Sequence, residues 1–266
     1  MDMSGNTMLV TGGGTGIGRA LAEAFHARGN QVIVAGRRRE LLDEVVAANP
    51  GMRALGLDIS RASAIATFAA EVVAGYPSLN VVVHNAGIMR DEPVLEAGTL
   101  ETAEATVATN LLGPIRLNSA LLPHLVARPR AAVVTVSSGL AFVPRAGNPT
   151  YGATKAAIHS YTQALRYQLQ DTNVQVIELV PPFVQTELTG PAQATNPLAM
   201  PLQDYIDETM QILSATPDVT EVLVDRVKPQ RYAEARGEYA SFFKRYNDAA
   251  IGRAAPVSSP ARPPRR

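Results

Sequence analysis

The sequence has no cysteine and only three lysines. Without cysteine there is no disulfide, no thiolate nucleophile and no Cys-based zinc site; no metal is expected. Basic excess is missing too, since 24 Lys and Arg meet 24 Asp and Glu. A general nucleic-acid binder carries such an excess, so no nucleic-acid partner is expected. No apolar run approaches the roughly 18 residues of a membrane span, and no membrane partner is expected. The polar start, Met1–Thr7, leads only into the short apolar run Met8–Val10. That does not read as a signal peptide, and a cytoplasmic location is expected.

The zero net charge hides a split. From Gly252 onward there are four arginines and no acid, which leaves 20 bases against 24 acids in the body. The tail 253–266 is rich in proline and arginine and lacks apolar periodicity, so disorder is expected there. Hydrophobic residues make up 46% of the 266 positions, enough to bury a large core.

Short β-branched runs alternate with Ala-rich helical stretches. Strands are expected over Thr7–Thr11, Gln31–Ala35, Arg53–Leu57, Asn80–His84, Ala131–Val136 and Val174–Val180. Helices are expected between them, including Leu100–Leu111, Ile115–Arg128 and Tyr151–Gln170. The strands are continuously apolar, as in Val81-Val82-Val83, which indicates a parallel sheet covered on both faces. The expected fold is a single doubly wound α/β domain over residues 1–252, with its ligand site at the strand C-termini. After Thr186 the pattern weakens. A helix over Leu202–Leu213, a last strand over Val219–Val224 and a helix over Asp225–Tyr246, broken near Pro229, complete the reading.

The first strand runs into Thr11-Gly12-Gly13-Gly14-Thr15-Gly16-Ile17-Gly18, then a helix. Glycines supply positive φ in so tight a turn. Their missing Cβ atoms let a pyrophosphate approach the amides of the helix N-terminus. In its strand–turn–helix context this G-x-x-x-G-x-G spacing reads as a nucleotide site, with Gly12, Gly14, Thr15, Gly16 and Ile17 as expected contacts. An NAD-preferring fold places an acid at the end of the second strand. Here stand Gly36-Arg37-Arg38-Arg39 instead. Arginines there suit a 2′-phosphate through charge-assisted bonds, although an arginine-rich chain also places them in solvated loops. NADP(H) is the expected cofactor, with Arg37 and Arg38 as its contacts.

Tyr151-Gly152-Ala153-Thr154-Lys155 opens the long helix. Residues four apart share a helix face, and an ammonium beside a phenol favours the phenolate. Tyr151 is therefore a candidate acid/base, tuned by Lys155. Ser138 follows the strand Ala131–Val136, thirteen residues before Tyr151. A hydroxyl there can steady a carbonyl oxygen; alone, such a serine reads as a turn or cap.

With these residues together, residues 7–190 resemble the classical short-chain dehydrogenases/reductases. The resemblance rests on Thr11–Gly18, Asp58, Asn85-Ala86-Gly87, Asn110, Ser138, Tyr151/Lys155 and Pro181…Thr186, in family order and spacing. It implies that Tyr151 is the general acid/base, that Ser138 positions the carbonyl, and that Lys155 holds the nicotinamide ribose. It implies a water-mediated proton relay through Asn110, which on its own reads as a cap before Gly113-Pro114. Asp58 and Ile59 would meet adenine, Asn85, Ala86 and Gly87 would line the cofactor, and Pro181, Val184 and Thr186 would hold its nicotinamide end. Two positions depart from the pattern: His84 replaces an Asn, and Pro182 replaces a Gly. Pro181-Pro182 resembles the branch related to the D-alanine-transfer-associated oxidoreductases. His84 reads as structural, with some claim to pH sensitivity. His159, four residues beyond Lys155, reads as packing.

The expected reaction is reduction of a ketone or aldehyde by NADPH, or the reverse. The rivals are a nucleotide-sugar epimerase or dehydratase, which the family builds longer, and a non-catalytic NADP(H) sensor, which needs no Tyr151/Lys155/Ser138/Asn110 set. The segment 187–216 falls where the family carries a substrate lid, and its Pro, Met and Leu content suggests a small, apolar-leaning carbonyl or alcohol substrate. The family also implies a homodimer or homotetramer.

Overall fold

The computed structural model describes residues 1–250, so the expectation for 253–266 lies outside the described residues. Seven parallel strands form one sheet, in the order β3-β2-β1-β4-β5-β6-β7. They are β1 (Thr7–Thr11), β2 (Gln31–Gly36), β3 (Arg53–Gly56), β4 (Leu79–His84), β5 (Ala131–Val136), β6 (Val174–Leu179) and β7 (Glu221–Val222). The helices are α1 (Gly16–His26), α2 (Arg39–Ala48), α3 (Ala62–Gly75), α4 (Thr99–Val107), α5 (Gly113–Val126), α6 (Pro149–Gln168), α7 (Pro191–Ala194), α8 (Leu202–Ala215), α9 (Lys228–Arg231) and α10 (Tyr239–Ala250). Among the described residues, no helix is long and apolar enough to cross a membrane.

The unbroken apolar strands have a direct structural cause. Successive side chains point to opposite faces, and each face has its own core. Met8, Val10, Val32, Val34, Val81 and Val83 pack on one side with Leu21, Phe25, Leu42 and Met210 of α1, α2 and α8. Leu9, Ile33, Ala35, Val82 and Val133 pack on the other with Phe68, Leu117, Leu121 and Leu165 of α3, α5 and α6. Each such side chain, fully buried, contributes roughly 1.5–3 kcal/mol, so neither face tolerates a polar alternation.

From β3 at one edge the chain crosses back to β4 beside β1. The strand order thus reverses between β1 and β4, where loops part and leave a crevice at the strand C-termini.

Three expectations need correction. β7 has only two residues, held by Glu178↔Glu221 and Leu179↔Val222; the rest of Val219–Val224 is loop, and just before β7 the Arg166 guanidinium donates to both Val176 O and Thr220 O. Asp225–Tyr246 is not one helix broken at Pro229. Pro229 sits in the first turn of α9, where its missing N–H costs nothing. The true break is 232–238, which contains Gly237 at φ +70°. Finally, Gly113-Pro114 does not end a helix. The chain runs from α4 through a π-helical turn, Ala108–Leu112, straight into α5.

Candidate active site

A cleft of about 980 Å³ runs along the strand C-termini from Arg37 and Arg38 to Tyr246. One end is built by main chain. Gly12 N–H and Gly13 N–H both donate to Ala35 O, at 2.7 and 3.3 Å, tying the turn to β2. Thr11 Oγ1 donates to Val83 O and accepts from Asn85 N and Ala86 N. Asn85 Nδ2 donates to Thr11 O at 3.1 Å and Gly12 O at 3.3 Å. The glycines are required by space. A Cβ on Gly12, itself at φ +67°, would lie 2.8 Å from Ala86 Cα, and one on Gly18 would lie 2.3 Å from Gly12 O. Main chain, turn and α1 N-terminus therefore make a cradle that side chains would fill.

At the end of β2, Arg38 Nη2 donates to Thr15 Oγ1 at 3.1 Å, reaching over the turn. Arg39 turns away and pairs with Asp43 on α2. Arg37 and Arg38 thus face the cleft, and Arg39 does not. Asp58 and Ile59 line the next wall, where Ser60 donates to one Asp58 oxygen. These residues fit a dinucleotide: a cradle for pyrophosphate, two cations at the ribose and an apolar slot for the base.

The other end is built by buried side chains. Ser138, Tyr151 and Lys155 all line the cleft and are 8%, 6% and 5% exposed. Ser138 caps a turn and also faces the cleft. Its Oγ accepts from Leu140 N at 3.1 Å, capping the short 3-10 turn Gly139–Ala141, and the same hydroxyl faces Tyr151. Lys155 Nζ donates to Val136 O at 2.7 Å, at the end of β5, and stands 5.5 Å from the Tyr151 ring centre. Burial pushes the Tyr151 phenol up to about 12, partly offset by Ser138. Burial also pulls Lys155 down to about 8, partly offset by Glu178. Burial is the first cause of both shifts, and on Tyr151 it acts opposite to the lowering expected from Lys155.

Asn110 stands behind the cleft wall rather than in it. Its Oδ1 accepts from Ile88 N at 2.9 Å, while its Nδ2 donates to Ile88 O at 2.9 Å and Thr154 Oγ1 at 3.3 Å. It is no helix cap. It lies within the π turn, a distortion common at functional sites, and pins the 85–88 loop against the residue preceding Lys155. Pro181, Val184 and Thr186 border the cleft as expected. Gln193 of α7 fixes two of them, donating to Val184 O at 2.8 Å and Thr186 Oγ1 at 3.0 Å.

Sequence reasoning missed Arg145, Gln193 and Tyr246, which line the catalytic end. Tyr246 arrives on α10, held there because Asn247 accepts from Ala146 N and donates to Pro144 O. Only the polar–apolar pattern of α10 hints at a buried face. His84 is 4% exposed with Nε2 on Asn118 Oδ1 at 2.7 Å, and it does not line the cleft. The structural reading of His84 is the one the geometry supports.

Residues 6–197 match the family model described as short chain dehydrogenase. The chain is 36% identical over 252 residues to the uncharacterized oxidoreductase DltE of Bacillus subtilis (strain 168), covering 93% of this chain and 98% of that one. It is 35% identical over 212 residues to an uncharacterized oxidoreductase of Myxococcus xanthus (strain DK1622), covering 77% and 83%. Among solved structures it is similar to a short chain dehydrogenase from Burkholderia cenocepacia J2315 in complex with NADP. There the TM-score is 0.77 and the identity 26%, over 91% of this chain and 99% of the other. The chain belongs to the short-chain dehydrogenase family of oxidoreductases, in a branch that includes DltE.

Proposed function

We propose that the protein is an NADP(H)-dependent oxidoreductase that reduces a ketone or aldehyde to an alcohol, or runs the reverse. The observation that carries this reading is the convergence of Ser138, Tyr151 and Lys155 at one end of a cleft whose other end is a glycine cradle flanked by Arg37 and Arg38. When bound, the nicotinamide supplies or accepts the hydride. Tyr151 gives the proton to the carbonyl oxygen or takes it from the alcohol. The Ser138 hydroxyl donates to the same oxygen and stabilises charge as it develops. Lys155 keeps a cation beside the phenol and would hold the ribose of the bound cofactor, and Asn110 holds its loop and helix in register. The absence of an acid after β2, and an NADP-bound relative of the same fold, support NADP(H) over NAD.

The mouth of the cleft carries Phe183, Leu188 and Leu198, each substantially exposed. This favours a small to medium substrate with an apolar body. A homodimer or homotetramer in the cytoplasm completes the reading; Leu112 and Val126 of the 99–126 helical run and Tyr167 on α6 remain exposed for such contacts.

The test is NADPH oxidation, followed by absorbance, against ketones, aldehydes, sugar nucleotides and enoyl thioesters. Turnover of ketones or aldehydes is expected. Turnover confined to sugar nucleotides or enoyl thioesters overturns the substrate class.

A further inference from the structure

A second group of charges lies behind Lys155, away from the cleft lining. Glu178 on β6 is 1% exposed. A buried carboxylate is costly unless charge and hydrogen bonds compensate it. Its oxygens accept from His159 Nδ1 at 2.8 and 3.0 Å. His159 Nε2 in turn accepts from the Gln163 amide at 2.9 Å. With Nδ1 as donor and Nε2 as acceptor the ring would be neutral, and would orient Glu178 without balancing its charge.

The remaining cations can be assigned one by one. Arg231 of α9 pairs with Glu221 of β7 at 2.7 Å, and its guanidinium stacks on Phe142, which meets His159 edge-on. Arg166 of α6 donates to the main-chain oxygens of Val176 and Thr220. Among the described residues around Glu178, Lys155 is left, one helical turn before His159 on the same face of α6, and its partner Val136 O is uncharged. Val136, whose O takes the ammonium, pairs with Leu179, the residue after Glu178, so β5 and β6 bring the carboxylate alongside that lysine; Glu178 acts to raise Lys155. Glu178, Glu221 and His159 also bring ligand-type atoms within 4.8 Å of one another. In that group Glu221 Oε1 already accepts from Arg231 Nε at 2.7 Å.

We propose that Glu178, oriented by His159, is a positioning residue whose buried carboxylate keeps Lys155 in its ammonium form beside Tyr151. This rests on the reading of Tyr151 and Lys155 as the acid/base pair. Burial leaves Lys155 little margin, at about 8 even with Glu178 present. Loss of the carboxylate removes an attraction that favours the ammonium. The lysine then gives up its proton at lower pH, and the cation beside the phenol is lost from the neutral range.

Scarcity of lysine makes the test direct and independent of any substrate. In protein labelled with 13C-lysine and carrying Lys228→Arg and Lys244→Arg, Lys155 is the only lysine signal. Its titration midpoint, followed by NMR, is expected to fall by about one unit or more in Glu178→Gln. Glu178→Asp, which keeps the charge, is expected to fall less. An unshifted or raised midpoint in Glu178→Gln overturns the proposal. If Glu178→Gln does not fold, the imidazole 15N shifts of His159 in the parent protein decide. A neutral ring protonated on Nδ1 at neutral pH supports the proposal. An imidazolium there overturns it, because His159 would then be the counter-charge. A shifted midpoint without turnover of any carbonyl would sink the functional reading and leave the electrostatic one standing; an unshifted midpoint with carbonyl turnover would do the reverse.

Discussion

The two ends of the cleft are made in opposite ways. At the nucleotide end the working atoms belong to the main chain, and the side chains that matter are the ones that are missing: a Cβ on Gly12 or Gly18 would collide with Ala86 or with Gly12 O. At the proposed chemical end the atoms belong to the side chains of Ser138, Tyr151 and Lys155, all buried, with Ser138 capping the turn after β5 and Lys155 bonded to Val136 O. Sterics dominate the first end and desolvation the second. Each end should therefore fail in its own way when it is perturbed.

The sharpest break in this comparison is at Gly18. Its Cβ would meet main-chain atoms at 2.3 Å, which cannot rotate aside. Gly18→Ala is expected to cost roughly 3 kcal/mol of stability and to abolish NADPH binding, read by thermal denaturation and fluorescence titration. Gly14 is the control. Its Cβ would meet Leu42 and Leu41 side chains at 3.4 and 3.5 Å, and its φ is ordinary. Gly14→Ala is expected to fold normally. Equal losses in both variants would refute a steric cradle.

A second prediction tests desolvation next to the site. Burial pulls His84 down to about 4, so the unfolded chain binds its proton more readily than the folded one. The stability this neutral ring protects is full above the ordinary value near 6.5 and is lost as pH falls toward 4. The loss is on the order of 3 kcal/mol. His84→Asn removes the titrating ring, and denaturant melts across that window should show a shallower pH dependence. An identical slope would contradict the burial account.

How far each end could be read from sequence follows from the same contrast. Glycine is needed where a side chain would clash or φ is positive, so Gly12, Gly16 and Gly18, set between a strand and a helix, announce the cradle. The apolar strands announce the buried sheet for a similar reason. Ser138, Tyr151 and Lys155 were legible through spacing and family resemblance. Their energetics were not, because the shifts of Tyr151 and Lys155 come from burial by residues distant in sequence. Asn110 sat in a π turn that its Gly113-Pro114 neighbours disguised as a helix end. Tyr246 and Asn247 reached the site through contacts about a hundred residues away. Glu178 is an acid inside an apolar strand, a visible anomaly, but its link to Lys155 exists only once β6 lies beneath α6.

A third prediction concerns the arginines that bound the nucleotide end. Replacing Arg37 and Arg38 with neutral residues removes charge-assisted bonds worth about 1.5–3 kcal/mol each. Each replacement should raise the KM for NADPH by roughly tenfold to a hundredfold while that for NADH changes little. An unchanged ratio would refute the cofactor assignment. The smallest effect is expected at Arg39, which is paired with Asp43 in solvent. Arg39→Ala should leave the KM for NADPH unchanged, and a large rise would mean that the wrong arginines face the cofactor.

The central claim is that Tyr151 moves the proton while the rest of the cleft binds, and one pair of numbers tests it. In Tyr151→Phe the cradle, Arg38 and Lys155 are untouched, so the Kd for NADPH should stay within about twofold of the parent value. Turnover of the best carbonyl substrate should fall by about a thousandfold or more. Normal turnover in that variant, or a loss explained wholly by weaker NADPH binding, would contradict the account.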